Sequence, residues 1–232
     1  MKNADKNTVK GSKTLADFAY QKIRNDIISG ELEADEKLRL SNLCKRYEIG
    51  MSPLREALAR LIGDALVITE GQRGFWVAPL SIEELEDISR VRILLESEAL
   101  QLSITNADDG WRNLLTDAFE QLTRVETELD GRNRDKVPEW EQANSRFHET
   151  LVARCGSQWL QRMLKILHQQ AERYRRISLV KANTGRDLHE EHEALYQAAM
   201  QGNVLKACRL LEIHVGLTSD AVRDALTENL AT

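Results

Sequence analysis

From Pro79-Leu80 onward the sequence keeps a helical period almost without a break, and this constrains the fold more than any single motif. Ser81-Ile82-Glu83-Glu84 reads as a capping box that opens a long helix. Helices are expected at about 82–103, 108–130, 138–154, 157–180, 186–201 and 203–228. The punctuation between them falls at Asn106-Ala107-Asp108, Gly131, Gly156-Ser157, Asn183-Thr184-Gly185 and Gly202-Asn203. Gly156 and Gly202 have the character of C′ glycines, each followed by an N-cap residue. Helices joined by connections this short must pack as neighbours, which predicts an antiparallel bundle of six to seven helices over residues 80–232. Only three prolines occur in 232 residues, and Leu, Ala, Glu and Arg are abundant, so the chain as a whole is mainly α.

Residues 14–79 follow a different grammar, and residues 1–13 are polar enough to be a flexible tail. Thr14, with Asp17 three residues on, caps a helix in which Leu15, Ala19, Ile23 and Ile27 repeat every four residues until Gly30 stops it. A polar turn is expected over Glu31–Lys37. A short helix then carries Leu40, Leu43, Cys44 and Tyr47 on one face. The next stretch, Ile49 to Leu61, reads as a tight turn at Gly50, an N-cap at Ser52 and Pro53 at the first helical position. Leu54, Leu58, Leu61 and Ile62 form its buried stripe, which leaves Met51, Ser52, Arg55, Ala59 and Arg60 off it. Two β-prone runs, Leu66–Thr69 and Phe75–Ala78, flank the glycine-bracketed turn Glu70–Gly74. Three helices and a two-stranded ribbon make a winged helix-turn-helix. Such a domain presents the N-terminal end of its last helix to base edges and its ribbon tip to phosphate or the minor groove.

Charge fits that division. Residues 1–80 hold 13 Lys and Arg against 11 Asp and Glu, while the remainder holds 19 against 26, for a net charge of −5. The excess of acid argues against indiscriminate nucleic-acid binding, and a mildly basic front on an acidic body suits a selective DNA reader. Cys44, Cys155 and Cys208 are odd in number, widely spaced and free of any CxxC pair, as in a reducing cytosol. No apolar run is long enough to span a bilayer and no signal-peptide core is present, so a cytoplasmic location is expected.

Candidate chemistry is confined to the second domain. Asn144 and His148 are four residues apart and share one helix face. His192 and His214 fall on two further helices, with Leu188, Leu195 and Ile213 nearby. Three imidazoles converging inside a bundle would suit zinc, nickel or a related divalent ion. A single histidine on an apolar helix face is more often a hydrogen-bonded core residue, and separate helices leave no local signature. His168 and His189 read as ordinary surface or boundary residues. Arg92 and Glu96 form an i,i+4 pair, either a helix-surface ion pair or an arginine facing a cavity where it can grip a carboxylate. Arg173-Tyr174-Arg175-Arg176 reads as a charged helix face with one buried tyrosine, and Trp111, Trp140 and Trp159 as packing residues. No P-loop, dinucleotide fingerprint, GxSxG or HExxH motif occurs.

Two stretches together resemble a known family. Glu36-Lys37-Leu38, Leu43, Arg46, Ile49, the run Pro53-Leu54-Arg55-Glu56-Ala57-Leu58, Leu61 and Leu66-Val67 resemble the GntR family of bacterial transcription regulators. Arg92 to Glu96, Asn144, Phe147-His148, His192 and His214 resemble the effector domain of its FadR-like branch, the FCD type. The resemblance implies a homodimeric regulator, expected to be a repressor, that binds a double-stranded operator. It also implies a divalent metal on Asn144, His148, His192 and His214, and a small carboxylate effector bound beside Arg92. Arg55 matches a DNA-contacting arginine of the family, and Ser52 with Gly71, Gln72 and Arg73 fall in DNA-contacting segments; Ser41, Met51 and Arg60 complete the expected DNA-contacting set. Two positions depart from the family pattern. Met51 stands where many members have an arginine, which removes a bidentate guanine contact, and Asn144 stands where many have aspartate, which removes a charge from the metal site.

A ligand-responsive regulator that is not an enzyme is therefore the leading expectation. The alternatives are a metal-dependent hydrolase or lyase and a regulator that senses the metal itself. Hydrolysis would need Glu149 or Glu193 as base, yet each follows a histidine by one residue and so projects about 100° away from it on the helix.

Overall fold

The computed structural model describes residues 14–71, 73–128, 136–181 and 187–230, without the side chains of 177–181 and 228–230. The expected tail 1–13, Gly131 and the turn at Asn183–Gly185 lie outside the described residues. The chain divides into two compact units, Met1–Pro79 and Leu80–Thr232.

In the first unit the order is α1 (Leu15–Ser29), β1 (Lys37–Leu38), α2 (Leu40–Tyr47), α3 (Met51–Gly63), β2 (Val67–Thr69) and β3 (Phe75–Val77). α1 starts at a complete capping box: the Asp17 N–H donates to Thr14 Oγ1 (3.1 Å), and the Thr14 N–H donates to the Asp17 carboxylate (3.1 Å). Ala19, Ile23 and Ile27 face inward as expected, but Leu15 is exposed, because the stripe begins one turn later. The sheet has three strands rather than two. Its order is β1-β3-β2, antiparallel throughout, with Leu38 opposite Phe75 and Ile68 opposite Trp76. The end of the expected polar turn is thus a two-residue strand on the outer edge of β3. Leu38 is its buried residue, and Lys37 lays its ammonium 4.8 Å from the Trp76 ring centre.

α3 begins two residues earlier than its sequence suggests. Gly50 is the N-cap, Ser52 caps nothing, and Pro53 sits third in the helix, where its missing N–H is still one the first turn does not use. Gly50 has an ordinary extended backbone (φ −67°), and the left-handed residue of the helix-turn-helix is Glu48 (φ 55°). Leu54, Ala57, Leu58 and Leu61 are buried in the core with Ile23, Leu43 and Val77, whereas Ile62 is turned outward.

The second unit contains α4 (Ile82–Thr105), α5 (Asp109–Glu128), α6 (Val137–Leu151), α7 (Gln158–Lys181), α8 (Leu188–Met200) and α9 (Val204–Leu230). Packed pairs are α4 with α9 and α7, α5 with α6 and α8, and α9 with α7 and α8. Ser81 caps α4 through the Glu84 N–H, but the box is only half built. The Glu84 carboxylate takes the Tyr174 hydroxyl, and that hydroxyl oxygen accepts the Ser81 N–H (3.1 Å), so α7 completes the start of α4. Gly202 (φ 71°) stands just past α8 in the left-handed region, as expected of a C′ glycine, but α6 already ends at Leu151 with Val152 as its C-cap, so Gly156 (φ 72°) turns the connection to α7 instead; Ser157 and Asn203 cap the next helices. Trp111, Leu115, Trp140, Phe147, Leu195 and Leu211 share one core, but Trp159 is exposed beside Arg162 rather than packed.

Candidate functional site

The first unit offers a surface. Met51, Ser52 and Arg55 are exposed on the first turns of α3, and Ser41 is exposed at the start of α2. Arg55 makes no ion pair among the described residues. At the ribbon tip the Arg73 N–H closes a turn onto the Glu70 carbonyl (2.9 Å), and Gly71 (φ 54°) and Gly74 (φ 124°) carry the left-handed conformations. Gln72 lies outside the described residues. Arg60 is engaged within the unit. Its guanidinium donates to the Asp17 carboxylate (2.7 Å) and lies 4.3 Å from the Tyr20 ring centre, tying α3 to α1. That hydrogen bond, with those from Thr14, holds the Asp17 carboxyl down at about 2.

The second unit offers an interior. His148 on α6, His192 on α8 and His214 on α9 are buried together, with ring centres 4.8–5.5 Å apart and ligating nitrogens within 4.8 Å of one another. Two carboxylates back the cluster, and neither was read from the sequence. Glu126 on α5 accepts from His192 Nδ1 (2.7 Å) and also meets His189 Nδ1 (3.1 Å), and Glu191 on α8 meets His214 Nδ1 (2.8 Å). A carboxylate on one ring nitrogen fixes the tautomer and offers the other nitrogen to a metal, the usual support around a histidine-ligated ion. His192 Nε2 and His148 Nδ1 are indeed buried without a hydrogen-bond partner. Burial, and then the neighbouring His214, His192, Arg92 and His168, hold the His148 pKa well below its ordinary value, so its ring stays in the neutral, ligating form. Nitrogens bound tetrahedrally to zinc stand about 3.3 Å apart, so the widest separation in the cluster, at most 4.8 Å, needs to close by no more than about 1.5 Å. The residues fit a divalent ion, and buried Asn144, one turn before His148, can add an amide oxygen.

Beside the cluster runs a buried polar chain. Arg92 Nε donates to Glu96 (2.8 Å), and His168 Nε2 meets the same carboxylate oxygen at 2.7 Å. Burial alone would raise the Glu96 carboxyl, but Arg92 and His168 outweigh it and hold it well below the carboxylate range. Arg92–Glu96 is therefore an interior pair, not a surface one, and His168 is part of it rather than a boundary residue. The Arg173–Arg176 run is likewise no solvated face. Tyr174 and Arg173 are buried, and Arg175 makes a bidentate pair with buried Glu141 through Nε (3.0 Å) and Nη2 (2.6 Å). Glu149 and Glu193, the bases a hydrolase would need, are both exposed.

Among the described residues no helix is long and apolar enough to cross a membrane. Two family patterns match. Residues 15–77 match "Bacterial regulatory proteins, gntR family", and residues 87–217 match "FCD domain". The chain is 39% identical to the HTH-type transcriptional regulator BphR of Paraburkholderia xenovorans LB400, over 91% of this chain and 86% of that one. It is 33% identical to the HTH-type transcriptional repressor GlaR of Escherichia coli K12, over 90% and 96%. A GntR-family transcriptional regulator from Pseudomonas syringae pv. tomato superposes with a TM-score of 0.56 at 30% identity, covering 94% of this chain and 88% of that one. E. coli McbR/YncC shares the fold, with a TM-score of 0.72 at 19% identity over 91% and 98%. These names describe transcription regulators rather than enzymes. The chain belongs to the GntR family, as a DNA-binding transcription regulator with an N-terminal winged helix and a C-terminal FCD domain.

Proposed function

We propose that this regulator is a homodimeric repressor whose grip on its operator is set by a small carboxylate bound in the FCD bundle beside a zinc or nickel ion. The observation that carries this reading is the buried trio His148, His192 and His214, backed by Glu126 and Glu191 and flanked by the Arg92–Glu96 pair. The trio, with Asn144, would hold the ion. A bound divalent ion offers an open coordination position to a carboxylate oxygen, and Arg92 supplies a planar donor fork for the same anion. With a neutral amide at Asn144, the protein adds no direct negative charge to the ion, which favours an anionic ligand in the remaining position.

On the DNA side, two copies of α3 would enter successive major grooves of a near-palindromic site about one helical turn apart. Ser52, Arg55 and the backbone around Gly71 and Arg73 are the contacts proposed there, with Ser41 on the phosphates. Met51 offers apolar contact where an arginine would read guanine, so part of the specificity falls to Arg55 and to DNA shape. The acid would act by binding one quaternary arrangement better than another, and so shifting their populations.

A gel shift on DNA upstream of the protein's own gene tests this reading. It uses metal-loaded and metal-stripped protein, with and without a panel of mono- and dicarboxylates. The expected result is a retarded complex that an acid releases only from metal-loaded protein. Metal-dependent binding that no acid alters would assign the ion itself as the signal, and no retardation under any condition would overturn the proposal.

A further inference from the structure

The wing carries cations that its own fold does not use. β1 runs antiparallel to β3, so it travels toward the ribbon tip, and Arg39 follows it there as the N-cap residue of α2. Main-chain bonds extend the pairing below β1. The Val77 N–H donates to the Glu36 carbonyl (2.9 Å), and the Asp35 N–H donates to the Val77 carbonyl (3.2 Å). Leu38 is buried, and by the two-residue alternation of a strand Lys37 faces the other way, beside its cross-strand partner Trp76. Lys37 lies across the Trp76 ring, its ammonium 4.8 Å from the ring centre, and reaches as far as the ribbon tip. A Cβ added at Gly74 would meet Lys37 Cε and the Trp76 ring, both at 3.9 Å. Lys37, Arg39 and Arg73 thus gather at one end of the sheet, all three exposed.

None of the three makes an ion pair among the described residues. The acids nearest in the chain are engaged elsewhere or through the main chain. The Glu36 carboxylate takes the Glu33 N–H (3.1 Å), and Glu70 gives its carbonyl to the Arg73 N–H (2.9 Å). The arginines that tie elements of this unit together are paired, Arg46 with Asp26 (2.8 Å) and Arg60 with Asp17 (2.7 Å). A lysine on an edge strand commonly serves to stop one sheet from pairing with another, and that duty asks only for a charge in water. Here the ammonium is seated on an indole face. The seat fixes its place, leaves its charge uncancelled and leaves N–H donors for an anion. A side chain already held also loses less freedom when it binds. The whole chain has a net charge of −5, so its approach to DNA depends on local cations such as these.

We infer that Lys37 and Arg39 form a phosphate clamp on the outer edge of the wing, with Trp76 as the seat that holds Lys37. Its partner is the sugar–phosphate backbone of duplex DNA, beside the base pairs met by α3. Ser41 is two residues on from Arg39, so the clamp joins the wing tip to the start of α2 along one run of chain. It supplies affinity that carries no sequence information, while Arg55 supplies the selection. The inference rests on DNA binding by the winged helix and is independent of the metal and the acid.

Fluorescence anisotropy titration of the full, zinc-loaded chain tests it, without acid and over about 50 to 200 mM KCl. The probes are the duplex retarded in the gel shift and a shuffled duplex of the same length and composition. Lys37→Gln and Arg39→Gln should each weaken both duplexes by a similar factor, about 3- to 10-fold. Each should also flatten the plot of log affinity against log salt by about 0.9, and the two together by about 1.8. Arg39→Lys, which keeps the charge, should keep the slope. Arg55→Ala should weaken the specific duplex far more than the shuffled one. Trp76→Leu should weaken binding in the natural background and add nothing once Lys37 is replaced by glutamine. An unchanged slope in the double variant, or a loss confined to the specific duplex, overturns the clamp while leaving DNA binding in place. A Trp76→Leu loss that is equally large without Lys37 overturns the seat. Failure of the unaltered chain to bind either duplex overturns the DNA reading itself.

Discussion

The two units of this chain place their polar groups in opposite ways. In the winged helix the described buried side chains are apolar or aromatic, and the charges lie outside, in pairs such as Arg60–Asp17 and Arg46–Asp26. Every fully buried charged, amide or imidazole side chain among the described residues is in the second unit: Arg92, Glu96, Glu141, Asn144, His148, Gln169, Gln170, Arg173, His192 and His214. Burying such groups costs stability unless each is matched, so a core built from them is not the most stable one available to a helical bundle. A DNA reader needs only a rigid frame behind an exposed face, and a dry core provides it. A ligand-binding bundle needs a polar interior held in place by its own partners. On the proposed function, the difference in burial is a difference in where each unit meets its partner.

The largest expected effect breaks that interior. Glu96→Ala leaves Arg92 buried without its carboxylate and removes the partner of His168, and should lower unfolding free energy in urea by about 3–5 kcal/mol. The pH dependence follows from the same pairing. Because the folded-state pKa of Glu96 is depressed below the ordinary 4.5, its contribution is complete above that value and is lost as pH falls toward the folded value. The stability gap between the wild type and Glu96→Gln should be flat near neutrality and narrow below about pH 4.5. A gap that is unchanged down to pH 3 would show that Glu96 is not charged in the fold.

The matching change on the surface should do the reverse. Arg55 is exposed and bears on no core residue, so Arg55→Ala should leave unfolding free energy within about 0.5 kcal/mol. Operator affinity should fall by about 1–3 kcal/mol, or roughly 5- to 150-fold, in a fluorescence anisotropy titration at fixed salt. If both Arg55→Ala and Glu96→Ala changed stability and DNA binding alike, the division of labour drawn from burial would be wrong.

The same contrast explains what could be read without coordinates. Helix positions, the stops at Gly30 and Gly202 and the caps at Thr14, Ser157 and Asn203 are local chemistry, and they stand where the periodicity puts them, whereas Gly156 lies beyond an α6 that ends at Leu151. What was lost is non-local. β1 is two residues long and exists only because Lys37 and Leu38 find Trp76 and Phe75. The left-handed turn residue was assigned to Gly50 on type, while the chain puts Glu48 there because it ends α2. In the bundle the histidines could be named but not joined, since only Asn144 and His148 share a helix. Glu191 is adjacent to His192 in sequence, yet it projects about 100° away and serves His214. In the Arg173–Arg176 run the buried tyrosine stands as read, but the buried arginines do not, because nothing local announces that Glu141 lies across from Arg175.

Glu126 sharpens the interior side of the comparison at a smaller cost. Glu126→Gln keeps the shape and a hydrogen-bonding oxygen but removes the charge that orients His192 and also meets His189. Metal affinity, measured by competition with a chelating dye, should fall about 10- to 100-fold. Unchanged affinity would leave Glu126 as a packing residue and weaken the case for a metal centre.

The smallest expected effect tests the frame behind the DNA face. Glu48 holds φ 55°, a conformation that costs a side-chain-bearing residue about 1–2 kcal/mol. Glycine removes that strain but gives back about 0.5–1 kcal/mol in chain entropy, so Glu48→Gly should raise unfolding free energy by about 1 kcal/mol or less. Glu48→Asn, which tolerates the left-handed region while keeping a side chain, should also stabilise, and Glu48→Ala should not. A gain as large from alanine as from glycine would locate the effect in the lost charge rather than the backbone. In the dry unit a strained turn is therefore expected to be improvable at no cost to its core, whereas in the bundle each buried charge already has a partner that a substitution would strand.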